Sequence, residues 1–177
     1  LFTSAASTSA GFLLGLAAKY KAATPAVCGV AMEVPLRLRV ALLLVRQADV
    51  LVENYRCGVM DRLGLGYETL AAENPKLVYA TLRGFGDPRS GESPYVNWPA
   101  YDPVAQAMGG IMGITGATQG GPPCKVGPGV GDIVPAMFLA YGIAAACWRS
   151  QRSGKGQFVD VAMIDGGELT ARRTAAA

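Results

Sequence analysis

Apolar and polar positions recur at helical spacing through RLRVALLLVRQ, residues 37–47, which predicts an amphipathic helix built from strong helix formers. The pattern then tightens. ADVLVEN carries a short β-branched run, Val50 to Val52, of the kind that suits a strand buried on both faces of a parallel sheet. A YRCG loop leads into VMDRLGLGYETLAAEN. That stretch predicts two short helices, broken at Gly64-Leu65-Gly66 and stopped at Asn74-Pro75. LVYATLRG, residues 77–84, predicts a second strand. Strand, helix and strand within about thirty residues make a βαβ unit.

Beyond it lies GFGDPRSGESPYVNWPA, residues 84–100, a long Gly-, Pro- and Ser-rich loop. Loops above about 12–15 residues inside a compact domain are usually functional or disordered, and Tyr95, Trp98 and Tyr101 argue for order. Asp102 is placed to cap a helix over PVAQAMGGIMGI, with Pro103 at its first position. A second long loop, TGATQGGPPCKVGPGVG, precedes the longest helical pattern in the chain, residues 133–150. SGKG then turns into QFVDVAMI, a third strand. The elements describe an α/β protein with a Rossmann-like parallel sheet flanked by helices.

Composition narrows the chemistry. Half of the 177 residues are hydrophobic and 16% are charged, so the chain is no disordered tail. Its net charge of +3 is spread over scattered Lys and Arg residues, which does not fit a nucleic-acid face. The apolar run GFLLGLAA, residues 11–18, is too short to span a bilayer, which needs about 20 residues. No membrane or nucleic-acid partner is therefore expected. Cys28, Cys57, Cys124 and Cys147 are widely spaced and read as reduced thiols of an intracellular protein rather than as a metal site. The chain has no histidine, which excludes any imidazole base within it. Residues 1–36 read as an irregular segment with a non-native look, 37–168 as part of the α/β domain and 169–177 as a tail, as though the chain were a fragment.

Attention falls on KVGPGVGDIVPAMFLAYGIAAACWR, residues 125–149. Between Lys125 and Arg149 its one charged side chain is Asp132. Taken by position, Asp132 is a helix N-cap, worth about 1 kcal/mol. A second reading is chemical: the glycines ahead of it let a ligand approach the backbone. A helix N-terminus favours the anion, and an ionised carboxylate facing open space is a nucleophile. GPGVGD does not fit the dinucleotide fingerprint, and SGKG lacks the P-loop spacing.

Four ordered segments together resemble the class III CoA-transferase (CaiB/BaiF) family. They are ADVLVENYRCGVMDRLGLGYETLAAENPKLVYATLRGFG, AYDPVAQAMGGIMGITG, GPGVGDIVPAMFLAYGIAAA and RSGKGQFVDVAMID, spanning about residues 48–166. The resemblance implies part of the large domain of an enzyme that forms interlocked homodimers, cytoplasmic or, in a eukaryote, mitochondrial or peroxisomal. It implies no permanently bound cofactor, with coenzyme A or acyl-CoA and a small carboxylic acid as substrates. It makes Asp132 the nucleophile that carries an aspartyl-CoA thioester, a chemistry that needs no histidine because the carboxylate is already deprotonated.

The same resemblance assigns the CoA nucleotide to Asn54, Tyr55 and Arg56, with Cys57 where the family usually has proline. It assigns the phosphates to Arg62, which by itself reads as an exposed helix residue. Trp98, Pro99, Ala100 and Tyr101 fall on the lip where pantetheine enters; Tyr101 is either an aromatic wall there or a core residue. The family's α-methylacyl-CoA racemase branch places a histidine where this chain has Tyr101, and a phenol with a pKa near 10 is a poor proton relay. Transfer is thus favoured over racemisation. A nucleotide-binding Rossmann module without catalysis, or an inactive fragment, are the remaining readings. The 177 residues alone are expected to be poorly stable, since strands without neighbours expose apolar faces.

Overall fold

The computed structural model describes residues 34–118 and 120–167. The segments 1–33 and 168–177, with GFLLGLAA, Cys28 and the C-terminal tail, lie outside the described residues. Helix α1 (Val34–Val45) is followed by strand β1 (Val50–Glu53), the short helices α2 (Val59–Arg62) and α3 (Tyr67–Glu73), and strand β2 (Val78–Arg83). Helix α4 (Asp102–Met108), a 3-10 turn (Ile111–Gly113), the long helix α5 (Val130–Ser153) and strand β3 (Gln157–Ala162) complete the order. The strands form one parallel sheet in the order β1-β2-β3.

By compactness the chain divides into two units. The first holds residues up to Val52, Gly58–Ala80 and Ile143–Phe158; the second holds Glu53–Cys57, Thr81–Gly142 and the residues from Val159 on. The first unit has a core of Val45, Met60, Leu70, Leu77 and Tyr79. Tyr79 stacks on Phe158 with ring centroids 5.7 Å apart, and Tyr67 meets Tyr79 edge-on and Phe158 at a tilt. Asn74 ends α3 in extended conformation. Its side-chain amide donates 2.9 Å bonds to the carbonyls of Val45 and Ala48, so the residue that stops α3 also satisfies the end of α1. Gly156 packs so closely on the backbone that an added Cβ would lie 1.9 Å from the Leu77 carbonyl oxygen.

Three elements differ from their sequence patterns. β1 is not buried on both faces: Val52 is exposed, whereas β2 is buried along nearly its whole length. The reason is position: β2 lies between β1 and β3, whereas β1 pairs with β2 alone among the described strands. The helix expected over residues 103–114 stops at Met108, where Gly109 and Gly110 break it. Gly110 adopts φ +84°, a left-handed conformation that suits glycine. The third is α5, which runs over Val130–Ser153 rather than 133–150.

By length and composition α5 is also apolar enough to cross a membrane. One stripe of it, Ala136, Leu139, Ala146 and Ser150, is buried in the fold, and the Ser150 hydroxyl donates to the Lys76 carbonyl at 2.8 Å. Ile133, Met137, Tyr141 and Trp148, at steps of four, four and seven residues on another face, are exposed.

Candidate functional site

The Gly-Asp junction opens α5. Its backbone begins helical hydrogen bonding at Gly129, whose carbonyl accepts from the amides of Asp132 and Ile133. Asp132 therefore sits inside the first turn and is not the N-cap. The capping carboxylate comes from elsewhere: Asp102 Oδ1 accepts the Gly131 N–H at 2.8 Å. Asp102, expected to cap its own helix α4, makes no such bond there. It serves the neighbouring helix instead.

A buried polar cluster holds Asp102 in place. The amide nitrogen of Gln106 donates to both carboxylate oxygens at 2.9 Å, and Lys125 Nζ lies 3.2 Å from Oδ2. Gln106 Oε1 in turn accepts the Val126 N–H at 2.9 Å, and Lys125 Nζ donates to the carbonyls of Val126 and Gly127. Burial acts to raise the Asp102 pKa, but the bonds from Gln106, Gly131 and Lys125 prevail and hold it below the ordinary carboxylate range. Two residues expected only as cap and helix filler, Asp102 and Gln106, thus anchor both the glycine loop and the start of α5.

Asp132 stands beside this cluster without joining it. Among the described residues no hydrogen bond or ion pair reaches its half-buried carboxylate. Its pKa is raised, first by burial and then by the negative charge of Asp102, with Lys125 pulling the other way. The sequence pattern alone, a carboxylate at the positive end of a helix, points in the opposite direction. Desolvation and a like charge prevail over the dipole here. The glycines also divide in role. A Cβ at Gly127 would meet nothing within 4 Å, leaving the backbone open, whereas one at Gly131 would lie 2.6 Å from the Asp102 carbonyl oxygen. Gly131 lets α5 approach α4; Gly127 leaves room in front of the loop.

The aromatic lip leads directly into Asp102. Tyr101 precedes α4 in extended conformation and is 66% exposed, which disposes of the core reading and leaves a surface ring next to the capping residue. Trp98 is 57% exposed and meets Tyr95 edge-on at 4.9 Å; Tyr95 packs on Phe85 at 5.5 Å. Pro99 is exposed, and Ala100 fits so tightly over Gly84 that a Cβ there would sit 2.2 Å from the Ala100 Cβ. This pins the lip to the end of β2.

Asn54, Tyr55 and Arg56 are exposed just past β1. The Tyr55 N–H donates to Glu53 Oε2 at 2.7 Å, and Arg83 at the end of β2 holds the other oxygen of Glu53 at 2.6 Å. The structure therefore gathers Asn54–Arg56, the lip and the Asp132 junction into one unit, linked through the end of β2. Arg62 belongs to the first unit, exposed in the last turn of α2. Cys57, Cys124 and Cys147 are free thiols. Among the described residues no group of three or more His, Cys, Asp or Glu side chains is arranged to hold a metal ion. Sequence reasoning missed Lys125, Arg83 and Asp87 as site residues. Lys125 meets Asp102 23 positions away, Arg83 meets Glu53 30 away and Asp87 meets Asp160 73 away, beyond the reach of any periodic signal.

A parallel α/β sheet with its polar residues at the strand ends, and a glycine loop delivering a carboxylate at a helix start, define the class of protein. Residues 30–176 match CoA-transferase family III, and the chain belongs to that family. Over 124 residues it is 53% identical to the succinyl-CoA:mesaconate CoA-transferase of Haloarcula hispanica, covering 70% of this chain and 31% of the relative. Over 124 residues it is 49% identical to the acetyl-CoA:oxalate CoA-transferase of Acetobacter aceti, with the same coverage. A CAIB/BAIF family protein from Brucella suis superimposes with a TM-score of 0.71 at 36% identity, covering 78% of this chain and 35% of that one. The chain thus spans about a third of the length of the relatives it matches.

Proposed function

We propose that the complete protein is an acyl-CoA:carboxylate CoA-transferase whose nucleophile is Asp132. The observation that carries this reading is the division of labour between two carboxylates. Asp102 caps α5 and is saturated with donors, while among the described residues Asp132 in the first turn has no such partner. A carboxylate that is neither capping nor paired is available to attack.

In the proposed cycle one oxygen of Asp132 adds to the thioester carbonyl carbon of the donor. The tetrahedral oxyanion collapses with cleavage of the C–S bond, leaving a mixed anhydride and CoA thiolate. The thiolate attacks the aspartyl carbonyl carbon, the donor acid departs as its carboxylate, and an aspartyl-CoA thioester remains. The acceptor carboxylate repeats the sequence in reverse and regenerates Asp132. No step needs a base, which accords with a chain that has no histidine. The open backbone at Gly127 offers N–H donors of the kind that stabilise an oxyanion.

The relatives' names, with succinyl-, acetyl- and formyl-CoA paired with mesaconate or oxalate, support small acyl donors and small dicarboxylate acceptors. Asn54, Tyr55 and Arg56 are proposed to hold the CoA nucleotide and Trp98–Tyr101 its pantetheine arm. No permanently bound cofactor is needed. The complete protein is read as a cytoplasmic homodimer, which sedimentation of the purified protein tests.

The decisive experiment traps the complete protein with hydroxylamine during turnover. A hydroxamate on Asp132 is expected, and an unmodified peptide containing Asp132 under turnover would sink the reading. In deuterated water a chiral 2-methylacyl-CoA is expected to gain no α-deuterium; incorporation would favour an isomerase.

A further inference from the structure

Of the four buried charged residues described in the second unit, three lie together, away from Asp102 and Asp132. At the carboxyl ends of β1 and β2, Arg83 is 7% exposed and forms ion pairs with Glu53, 5% exposed, and Asp87, 1% exposed. Burying these charges costs several kcal/mol per ion before pairing offsets it, so their retention calls for an explanation other than stability. Burial disfavours the Arg83 charge, but the carboxylates of Glu53 and Asp87 outweigh it and keep the guanidinium above its ordinary range. Its two terminal nitrogens are taken up by the two acids, while among the described residues its buried Nε has no hydrogen-bond partner.

Each acid is also tied to a loop backbone. The free oxygen of Glu53 accepts the Tyr55 N–H at 2.7 Å. Asp87 Oδ1 accepts the Arg89 N–H at 2.8 Å, and the Asp87 N–H donates to Asp160 Oδ2 on β3 at 2.8 Å. Asp160 is braced by the Thr81 hydroxyl at 2.6 Å. The result is a continuous relay from β3, through Asp87 and Arg83, to the first residues after β1. In open α/β sheets ligands bind at the carboxyl ends of the strands, and both loops leaving those ends are fixed by Arg83.

The geometry points to Arg83 as a positioning residue that holds the Asn54–Arg56 loop and the start of the 84–100 loop in one register for acyl-CoA. This rests on the transferase reading of the same site. In this role Arg83 acts through Glu53 on the Tyr55 backbone. Preorganising a loop lowers the ordering cost of binding, so the effect falls on affinity and not on the chemical step. A lysine in its place supplies one point charge and cannot fork between two carboxylates.

The test uses the complete protein with Arg83→Met and Arg83→Lys. Arg83→Met is expected to raise both the acyl-CoA KM and the CoA Kd about tenfold, with kcat changed less than about threefold. Tyr55 amide protection from hydrogen exchange should fall, and Asp132 should still be trapped at saturating acyl-CoA; Arg83→Lys should lie between. Should Arg83→Met not fold, Glu53→Gln with Arg83→Gln removes one charge of each sign, leaves Asp87 its 3.3 Å contact to Arg89, and carries the same expectation. A fall in kcat with KM and Kd unchanged marks a merely structural residue and overturns the inference, while a labelled Asp132 leaves the transferase reading standing. Wild-type protein that neither binds CoA nor labels Asp132 overturns both.

Discussion

Asp102 Oδ1 lies 2.8 Å from the Gly131 nitrogen, so the helix that carries Asp132 is capped by a side chain from another helix. The residue beside Gly131 is thereby released from the capping role that its position suggests. Replacing Asp102 by Ala is expected to cost at least the ~1–2 kcal/mol of a lost cap, and more because Gln106 is left buried without its acceptor. Replacing Asp132 by Ala should change stability by less than ~0.5 kcal/mol. Urea unfolding of the two variants decides it, and an equal loss in both would mean that Asp132 contributes to the cap.

The two carboxylates titrate in opposite directions. Asp132 is raised by burial and by Asp102, so the stability its proton contributes is present below the ordinary aspartate range and is lost as pH rises through the raised value. Asp132→Asn should remove that part of the pH dependence. Asp102 is lowered; its contribution is present above the ordinary range and is lost as pH falls through the depressed value.

On the proposed mechanism Lys125 favours the ionised, reactive form of Asp132. It pulls the Asp132 pKa down against burial and Asp102, so Lys125→Met should move the acid limb of the transfer reaction to higher pH. A pH–rate profile checks the sign, and an unmoved limb would mean that Lys125 does not act on Asp132.

Gly131 and Gly127 should answer differently to the same methyl group. A Cβ at Gly131 would sit 2.6 Å from the Asp102 carbonyl oxygen and 3.0 Å from the Ala105 Cβ. The ~1 kcal/mol that alanine gains in a helix is then outweighed by overpacking of about 1–3 kcal/mol. At Gly127 the methyl meets nothing, so stability should hold while any acyl group seated over the loop is crowded. Thermal unfolding and acyl-CoA KM, measured on both variants, separate the two roles.

Trp98 presents its ring to solvent while its edge rests on Tyr95. Trp98→Ala should weaken acyl-CoA binding by about 0.5–1.5 kcal/mol through lost aromatic contact and leave the unfolding midpoint nearly unchanged. Calorimetry with CoA, run beside a melting curve, tests both halves.

Much of this protein was legible in its sequence. The alternation of short β-branched runs with helical spacing placed all three strands, and the glycines at 64–66 and the Asn74-Pro75 pair placed the breaks between helices. These are local properties, set by backbone torsions and by the period of apolar residues. The Gly-Asp junction, too, was visible as a single charge between a flexible loop and an apolar helix. The tertiary structure alone decided which carboxylate caps α5, because that depends on Asp102 reaching Gly131 across 29 positions. It alone set β2 between β1 and β3 and brought Glu53, Arg83 and Asp87 into one buried cluster. Burial and charge pairing act over ångströms in space, and the distances that govern them exist only once the strands have been laid side by side.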